Sequence, residues 1–334
     1  MHIQTVNWQK VMQLTYKDPH ALLNKLGLSG SDSNLSELAA QEFPLRVPQS
    51  YLENIKPGDP ADALLLQILP TKQEDVRDAA YTTDPLHESS YQPVPGLLHK
   101  YRHRALLIAT GACAIHCRYC FRRHFPYADA NPSENTWSGA LNYLMKDKTI
   151  KEIILSGGDP LTLSNSRLSR LVELLVRIPH LKRLRIHTRI PVVMPGRIDE
   201  ELIELLTTTR LQPVVVIHSN HANEFGDKAY QAIRKLYFAR IPLFNQSVLL
   251  RGVNDSAETL TELSESLFAM GIIPYYLHLL DKVEGAAHFH VPLSRAKSLM
   301  QSLRETLPGY LVPKLVKEIA GETAKVPAEL LDAE

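Results

Sequence analysis

Cysteine is scarce in this sequence. The 334 residues include three cysteines, Cys113, Cys117 and Cys120. An odd number of cysteines so close together is a poor basis for a disulfide framework. Long apolar runs are also missing: no run approaches the ~18 residues of a membrane helix, and the first residues, MHIQTVNWQK, lack the apolar part of a secretory signal. We therefore expect a cytoplasmic protein that does not associate with a membrane.

Neither sign of charge is in excess. The chain carries 37 Lys and Arg against 36 Asp and Glu, a formal net charge of +1, which gives no support to a dedicated nucleic-acid-binding protein. With 44% apolar and 22% charged residues it can bury a large core, which excludes a disordered protein. The length indicates about two domains of ~150 residues, although an α/β barrel of ~200–250 residues is one domain.

Residues 1–95 are rich in Pro, Asp and Ser, with helical patches near 6–16 and 35–43. The prolines that follow interrupt regular structure. This composition predicts an N-terminal arm of short helices and turns, without chemistry of its own, that wraps another body.

From residue 104 the pattern becomes regular, because short β-branched apolar runs alternate with amphipathic stretches. The predicted strands are 104–110, 151–157, 182–188, 212–218, 242–250 and 272–280, and the predicted helices are 167–177, 200–207, 227–238, 257–270 and 293–306. Apolar strands that alternate with helices indicate a parallel sheet covered by helices. No GxGxxG follows the first strand, which disfavours a dinucleotide-binding sheet. We predict an α/β fold, a partial (βα)6 TIM-like barrel over residues 96–310.

The three cysteines follow the first barrel strand in the order CxxxCxxC. Thiolates are soft ligands that select iron–sulfur clusters or zinc, and structural zinc normally takes four protein ligands. With three cysteines, a cubane that leaves one iron without a thiolate is the natural interpretation. The alternatives are a Cys3His zinc site that uses His116, His103 or His124, or inert buried thiols.

A basic window flanks these cysteines. No acidic residue lies between Glu88 and Asp129, whereas six basic residues do: Lys100, Arg102, Arg104, Arg118, Arg122 and Arg123. Solvated charges, or a short RNA patch with Tyr101, Tyr119 and Phe121 interleaved, would also fit. Because arginine offers a fork to carboxylate or phosphate, we favour small anionic ligands.

The second strand ends in Ser156-Gly157-Gly158-Asp159-Pro160. Two glycines at a strand end expose backbone groups to a ligand, and Asp159 can accept a hydrogen bond from an ammonium group. The Cys motif with Tyr119 before its last cysteine, followed by this GGDP segment, resembles the radical S-adenosylmethionine (SAM) superfamily. That resemblance implies a [4Fe–4S] cluster on the three cysteines and SAM at the strand end.

Over most of its length the chain resembles the lysine 2,3-aminomutase family, in segments such as HKYRHRALLIATGACAIHCRYCFRR, LSGGDPL, TRIPVVMPGRI, HSNHANE and FNQSVLLRGVND. The resemblance makes Lys325, in the C-terminal segment 311–334, the lysine that holds pyridoxal 5′-phosphate (PLP) as a Schiff base. The family's glycine-rich stretch before that lysine is here AGETA, with only Gly321 kept.

The resemblance also implies roles for other residues. Arg122 would bind the substrate carboxylate, and Asp281 and Glu318 the distant ammonium, with Glu318 standing where an aspartate is usual. The remaining positions are Lys100, Tyr101 and Arg104 for PLP, and His218 and Gln246, with Ser156, Gly157, Gly158 and Asp159, for SAM.

The implied function is conversion of L-lysine to β-lysine. Nine residues follow Lys325 and no cysteine is left for the zinc-binding extension of longer members, so the chain resembles the short bacterial subgroup that supplies β-lysine for modification of elongation factor P. The implied partners are L-lysine, a flavodoxin or ferredoxin as electron donor and, in oligomeric form, a second copy of the chain, without nucleic acid. The alternatives are an aminomutase for another amino acid such as glutamate, and a zinc-bearing RNA-binding protein.

Overall fold

The computed structural model describes residues 8–29, 34–130 and 134–332, and within them one sheet runs through the molecule. Its strands lie side by side in chain order, and those from β2 to β8 are parallel, with an antiparallel strand at either end. The strands are β1 (Leu97–Tyr101), β2 (Arg104–Thr110), β3 (Glu152–Gly157), β4 (Arg183–Thr188), β5 (Gln212–His218), β6 (Leu243–Val248), β7 (Ile273–His278), β8 (Lys314–Lys317) and β9 (Val326–Pro327).

Helices follow most of the parallel strands and cover the sheet. They are α1 (Trp8–Gln13), α2 (Pro19–Lys25), α3 (Glu37–Glu42), α4 (Gln49–Leu52), α5 (Ala63–Leu66), α6 (Tyr127–Ala130), α7 (Glu134–Lys146), α8 (Asn165–Val176), α9 (Ile190–Val193), α10 (Glu200–Thr208), α11 (Asp227–Phe238), α12 (Ala257–Ala269) and α13 (Leu293–Thr306). None of the helices in the described ranges is long and apolar enough to cross a membrane.

The predicted partial barrel is confirmed. The six predicted strands are β2 to β7, and each ends within two residues of its predicted bounds. The sequence analysis missed β8, which adds a seventh parallel strand beside β7. Its four residues, KLVK, place two apolar side chains between two lysines, too short a run for an alternating pattern to show.

The helices begin at side chains that satisfy their free N–H groups. Ser164 caps α8 by accepting from the Arg167 N–H, and α8 then buries Leu168, Leu171 and Leu175 at the spacing of one helix face. Asp199 caps α10 and Ser256 caps α12 in the same way. Each cap fixes where a crossover helix starts after the loop at the top of the sheet.

The N-terminal arm packs into the barrel's own core. Helix α1 begins at Trp8 (Val6 and Asn7 of the predicted patch 6–16 lie outside the described residues), and α3 lies inside the predicted patch 35–43. Buried arm side chains such as Leu22 and Leu64 belong to the same apolar cluster as the strand residue Ile153. The arm is thus short helices and turns, as predicted, whereas the division into 1–95, 96–310 and 311–334 stays a prediction.

Candidate active site

The three cysteines lie on the loop that leaves the carboxyl end of β2. Their side chains are half-buried, and Arg46 Nη1 donates to the Cys113 carbonyl oxygen at 3.2 Å, which ties the loop to the arm. Burial raises the pKa of the Cys113 thiol well above its usual value, and burial with the neighbouring Cys117 raises that of Cys120 to about 11. These thiols become ligands when a cation replaces their protons.

The two glycines that end β3 let the cysteine loop approach the sheet. Gly157 has φ +112°, in the region that favours glycine, and a Cβ there would lie 2.5 Å from the Thr110 carbonyl oxygen. A Cβ on Gly158 would lie 2.3 Å from the Ala112 carbonyl oxygen. Any side chain at either position would therefore push away the segment that leads into Cys113.

Asp159 is buried with its carboxylate fully engaged. It accepts from the Thr188 hydroxyl at 2.8 and 2.9 Å, from the Arg189 N–H at 2.7 Å and from the Leu161 N–H at 3.0 Å. Burial raises the pKa of Asp159 to about 6, against the lowering effect of these donors. The carboxylate thus joins the ends of β3 and β4, while its predicted contact with SAM stays a prediction.

The basic window is neutralised by acids from elsewhere in the chain. Arg118 is fully buried and donates to both carboxylate oxygens of Glu74 at 2.8 and 2.6 Å, and Arg123 Nη1 lies 2.9 Å from the same carboxylate. Lys100 lies 3.5 Å from Glu318 and Arg122 pairs with Glu88. Four of the six basic residues of the window thus pair with acids inside the protein, whereas Arg102 is exposed.

Arg189, which the sequence analysis missed, joins the cysteine loop to the N-terminal arm and to the segment after β5. Its Nη1 donates to Cys117 Sγ at 2.7 Å and to the Tyr119 hydroxyl at 2.8 Å, while Nη2 donates to Gln67 at 2.7 Å and to Glu224 at 2.9 Å. A guanidinium donor on a ligand sulfur stabilises negative charge there. The signal for Arg189 was its place immediately after β4, at the carboxyl edge of the sheet.

The histidines of the zinc alternative each place a ring nitrogen on a backbone carbonyl. His116 contacts the Pro44 oxygen at 2.7 Å, His103 that of Thr149 at 3.1 Å, and His124 that of Glu284 at 3.4 Å. Within residues 8–29, 34–130 and 134–332, no three His, Cys, Asp or Glu side chains converge on one metal-ion position. A cubane spreads its three thiolates over three irons, so it does not need such convergence.

A ring of polar side chains lines the inside of the barrel at the carboxyl ends of five neighbouring strands. In strand order from β3 to β7 they are Ser156, His187, His218, Gln246 and His278. In the described part of the chain, the Nε2 atoms of the three histidines and of Gln246 are buried without a hydrogen-bond partner. Burial lowers the pKa of the histidines, that of His218 to about 4, so they are neutral at physiological pH. Buried polar atoms without a partner need a bound molecule to complete their hydrogen bonds, whether a ligand, an ion or ordered water.

Arg122 contacts Ser156 of this ring, and Glu88 binds one edge of its guanidinium group. Its Nε and Nη2 donate to the two oxygens of Glu88 at 2.8 and 2.6 Å, and its Nη1 donates to Ser156 Oγ at 3.0 Å. Desolvation lowers the pKa of Arg122, but the Glu88 carboxylate outweighs it and the net shift is upward. Glu88 and Ser156 take three of the five N–H groups of a guanidinium, which leaves two for a ligand.

Lys325 and the predicted PLP residues meet at Glu318. Its carboxylate accepts from Lys325 Nζ at 2.5 Å and from the Tyr101 hydroxyl at 2.8 Å, and Lys100 Nζ is 3.5 Å away. Burial raises the pKa of Glu318, but Lys325, Tyr101 and Lys100 together lower it to about 2. The Arg104 guanidinium lies 4.2 Å from the centroid of the Tyr101 ring.

Asp281 lies after β7 and interacts electrostatically with the Glu318 carboxylate and with the Lys325 and Lys100 ammonium groups. Burial, followed by the Glu318 charge, raises the pKa of Asp281 to about 7. Two neighbouring carboxylates with pKa values this far apart form a site that a ligand cation would stabilise.

Two cavities flank this group. One of about 70 Å³ is lined by Lys100, Tyr101, Arg104 and Glu318, together with Glu88. The other, of about 560 Å³, is lined by Tyr276, Val316 and Lys325 among others, and falls in the ~300–1,000 Å³ range of small-molecule sites. Lys325 thus borders the larger cavity, whereas Lys100, Tyr101 and Arg104 line the smaller one.

Comparisons with known proteins agree with this geometry. Residues 107–263 match the family model described as the radical SAM superfamily. The chain is 49% identical over 320 residues to an L-lysine 2,3-aminomutase of Haemophilus influenzae, covering 96% of this chain and 94% of that one. It is 46% identical to the Escherichia coli enzyme of the same name, covering 98% of both, and 39% identical to that of Clostridium subterminale, covering 83% of this chain and 67% of that one.

Among solved structures, Streptococcus suis SuiB bound to S-adenosylmethionine matches with a TM-score of 0.50 at 14% identity, covering 67% of this chain and 52% of that one. At 14% identity this similarity supports the fold alone. The sequence relatives go further: this chain belongs to the lysine 2,3-aminomutase family of the radical SAM superfamily, and hence to the isomerases.

The structure brings most predicted site residues to one end of the barrel and adds others. The added residues are Arg189, Glu88, His187 and His278. The two histidines are polar side chains at the ends of apolar strand runs, a signal visible in KRLRIHT and YYLHLL. The acidic partners of the arginines have no comparable signal in the sequence.

Proposed function

We propose that this protein is a lysine 2,3-aminomutase that moves the α-amino group of L-lysine to C3 and gives β-lysine. The observation that carries the proposal is the near full-length identity to proteins of that name, at 49% and 46%. The arrangement supports it, since Asp281, Glu318 and Lys325 interact electrostatically, and Arg122 and Lys325 both act on His187.

The residues fit the three cofactors that the family implies. Cys113, Cys117 and Cys120 supply three thiolates for a [4Fe–4S] cluster and leave one iron open. The unpartnered Nε2 atoms of His218 and Gln246 suit the adenosyl group of SAM. For PLP, Lys325 supplies the amine, and Lys100, Tyr101 and Arg104 supply cations and a hydroxyl. When bound, the cluster and SAM supply one-electron chemistry and PLP carries the migrating amino group.

The chain's own residues bind and orient the substrate. Arg122 offers two N–H groups to the α-carboxylate, and Asp281 and Glu318 offer negative charge to the ε-ammonium. Because the protein holds the substrate by its carboxylate at one end and by its ammonium at the other, the position of C3 between them is fixed. The surrounding barrel excludes water from the reacting atoms.

The cationic side chain distinguishes lysine from glutamate. The carboxylates of Asp281 and Glu318 would repel a substrate side chain that ends in a third carboxylate.

A zinc-bearing RNA-binding protein is the other alternative, and the internal pairing of Arg118, Arg122 and Arg123 weighs against it.

We extend the proposal to the cellular setting. The length match to the H. influenzae and E. coli relatives supports the short bacterial subgroup, and hence a role in supplying β-lysine for modification of elongation factor P in the cytoplasm. A flavodoxin or ferredoxin would reduce the cluster, and the homo-oligomer predicted from the sequence remains part of the proposal.

One anaerobic assay tests the reaction. Reconstituted protein with SAM, PLP and a reductant is given L-lysine or L-glutamate, and products are separated by chromatography. We expect β-lysine from lysine and no β-glutamate. Turnover of glutamate in preference to lysine contradicts the assignment of lysine as the substrate. Stoichiometric zinc without iron in the reconstituted protein contradicts the assignment as a radical SAM enzyme.

A further inference from the structure

Two members of the polar ring, His187 and His278, have no role in the proposed chemistry. His187 lies at the end of β4, one position beyond the Leu155–Ile186 pair, so its neighbour on β3 is Ser156. In the described residues its Nε2 is buried without a partner. A buried nitrogen without a partner calls for one from a bound molecule, and a ligand near Arg122 can supply it.

The neighbours of His187 narrow the class of that ligand. Ser156 Oγ already accepts from Arg122 Nη1 at 3.0 Å, and neighbouring strands lie ~4.8 Å apart. His187 therefore lies beside the hydroxyl that contacts Arg122, close to the guanidinium that has two N–H groups left for a ligand. Arg122 and Lys325 both act electrostatically on His187, so it lies within range of the predicted carboxylate-binding arginine and of the predicted PLP lysine.

The charge state of His187 fits a carboxylate. Burial, the neighbouring His218 and the arginines lower the pKa of His187 well below its usual value. The His187 and His218 rings are 5.4 Å apart, edge to face. A neutral imidazole donates one N–H without adding a further cation beside Arg122 and Arg185, and a carboxylate oxygen is the acceptor that these cations attract.

We propose that His187 donates through Nε2–H to the α-carboxylate of the amino-acid substrate, alongside Arg122. This inference rests on the proposed function and makes His187 a substrate-binding residue that sets the orientation of the backbone end of the substrate. The methionine part of SAM carries the same chemical group, so the test must separate the two sources.

The experiment uses the holoenzyme, loaded with cluster, PLP and SAM. His187→Leu removes the donor at similar volume, His187→Gln keeps an N–H, and the exposed His103→Leu is the matched control. Dissociation constants are measured for L-lysine and for cadaverine, which lacks the carboxylate, from the PLP absorbance. The dissociation constant of SAM is measured by equilibrium dialysis, and iron content and thermal unfolding monitor folding.

We expect His187→Leu to weaken L-lysine binding about tenfold or more while cadaverine and SAM bind as before, since a hydrogen bond to a charged group is lost. His187→Gln should recover most of the affinity, and His103→Leu should match the parent protein. Equal weakening of lysine and cadaverine, weakening of SAM alone, or no change in His187→Leu overturns the inference. If the parent protein binds no lysine, the proposed function itself fails.

Discussion

Glu318 Oε2 accepts a hydrogen bond from Lys325 Nζ at 2.5 Å, and the two residues lie on either side of the hairpin that joins β8 to β9. The carboxylate assigned to the substrate ammonium is thus occupied by the lysine assigned to PLP. Attachment of PLP to Lys325 would change the donor that faces Glu318, so the cofactor and the proposed ammonium site would share this carboxylate.

Asp281→Asn should lower kcat/KM for L-lysine about a hundredfold or more. Removal of one partner of a desolvated charge pair costs ~3–5 kcal/mol, and ~1.4 kcal/mol is a factor of ten. Steady-state kinetics on protein with normal iron and PLP content measure the effect. Glu318→Asp keeps the charge and should stay within about tenfold of the parent, and the exposed Glu262→Gln should equal it. An Asp281→Asn protein with parental kinetics would refute a cationic substrate.

Stability should also depend on pH through Asp281. Its pKa is raised from 3.8 to about 7 in the folded protein, so the native state holds a proton that the unfolded state releases. Stability therefore falls as the pH rises from about 4 to about 7, by at most about 4 kcal/mol. Without substrate, Asp281→Asn should raise the melting temperature more at about pH 8 than at about pH 5. An equal change at both values contradicts the raised pKa.

Replacement of Cys113, Cys117 or Cys120 by Ala should remove bound iron and abolish cleavage of SAM. Each thiolate is one of three ligands, and no other cysteine in the sequence can substitute. Iron and sulfide analysis after anaerobic reconstitution measures the loss. His103→Ala and His116→Ala, which test the zinc alternative, should retain iron. A histidine variant that loses its metal while a cysteine variant keeps iron would reverse the assignment.

Lys325 should carry PLP. Borohydride reduction of the loaded protein, followed by peptide mapping, is expected to place the pyridoxyl group on Lys325, since its amine borders the larger cavity. Lys325→Ala should bind no PLP covalently, and the exposed Lys17→Ala, which lies outside both cavities, should label like the parent. A label on Lys100 instead would show that the altered glycine stretch has moved the anchoring lysine.

Glu88→Gln should both destabilise the protein and raise KM for lysine. Glu88 balances the buried charge of Arg122, so the loss of its carboxylate should cost about 3 kcal/mol and leave the guanidinium free to turn. Glu284→Gln removes an acidic partner of the half-exposed Arg77 and should cost about 1 kcal/mol or less. Thermal unfolding and steady-state kinetics measure the two effects. A Glu88→Gln protein with a lower KM would show that Glu88 competes with the substrate for Arg122.

The sequence was sufficient to predict those parts of the molecule that are marked by a local hydrophobic pattern or by a specific motif. The strands β2 to β7 are apolar runs of ordinary length, and the cysteine spacing is specific in itself. The partners of the buried arginines could not be predicted, because Glu74 lies 44 residues from Arg118 and Glu224 lies 35 residues from Arg189. Such pairs form only through tertiary packing, and the hydrophobic periodicity of the sequence does not predict them. The hydrogen bonds that the Asp159 carboxylate accepts from Thr188 and Arg189 could not be predicted for the same reason.

The contacts of Arg189 also have a consequence for the order of biosynthesis. Its guanidinium joins Gln67 from the arm, Cys117 from the loop and Glu224 after β5, so the pocket around the thiols is assembled from both halves of the chain. A ribosome-bound chain that ends before Glu224 holds the cysteines but lacks the counter-ion that fixes Arg189 beside them. The pocket around the three thiols is therefore complete only after the segment that carries Glu224 has been synthesised and has folded.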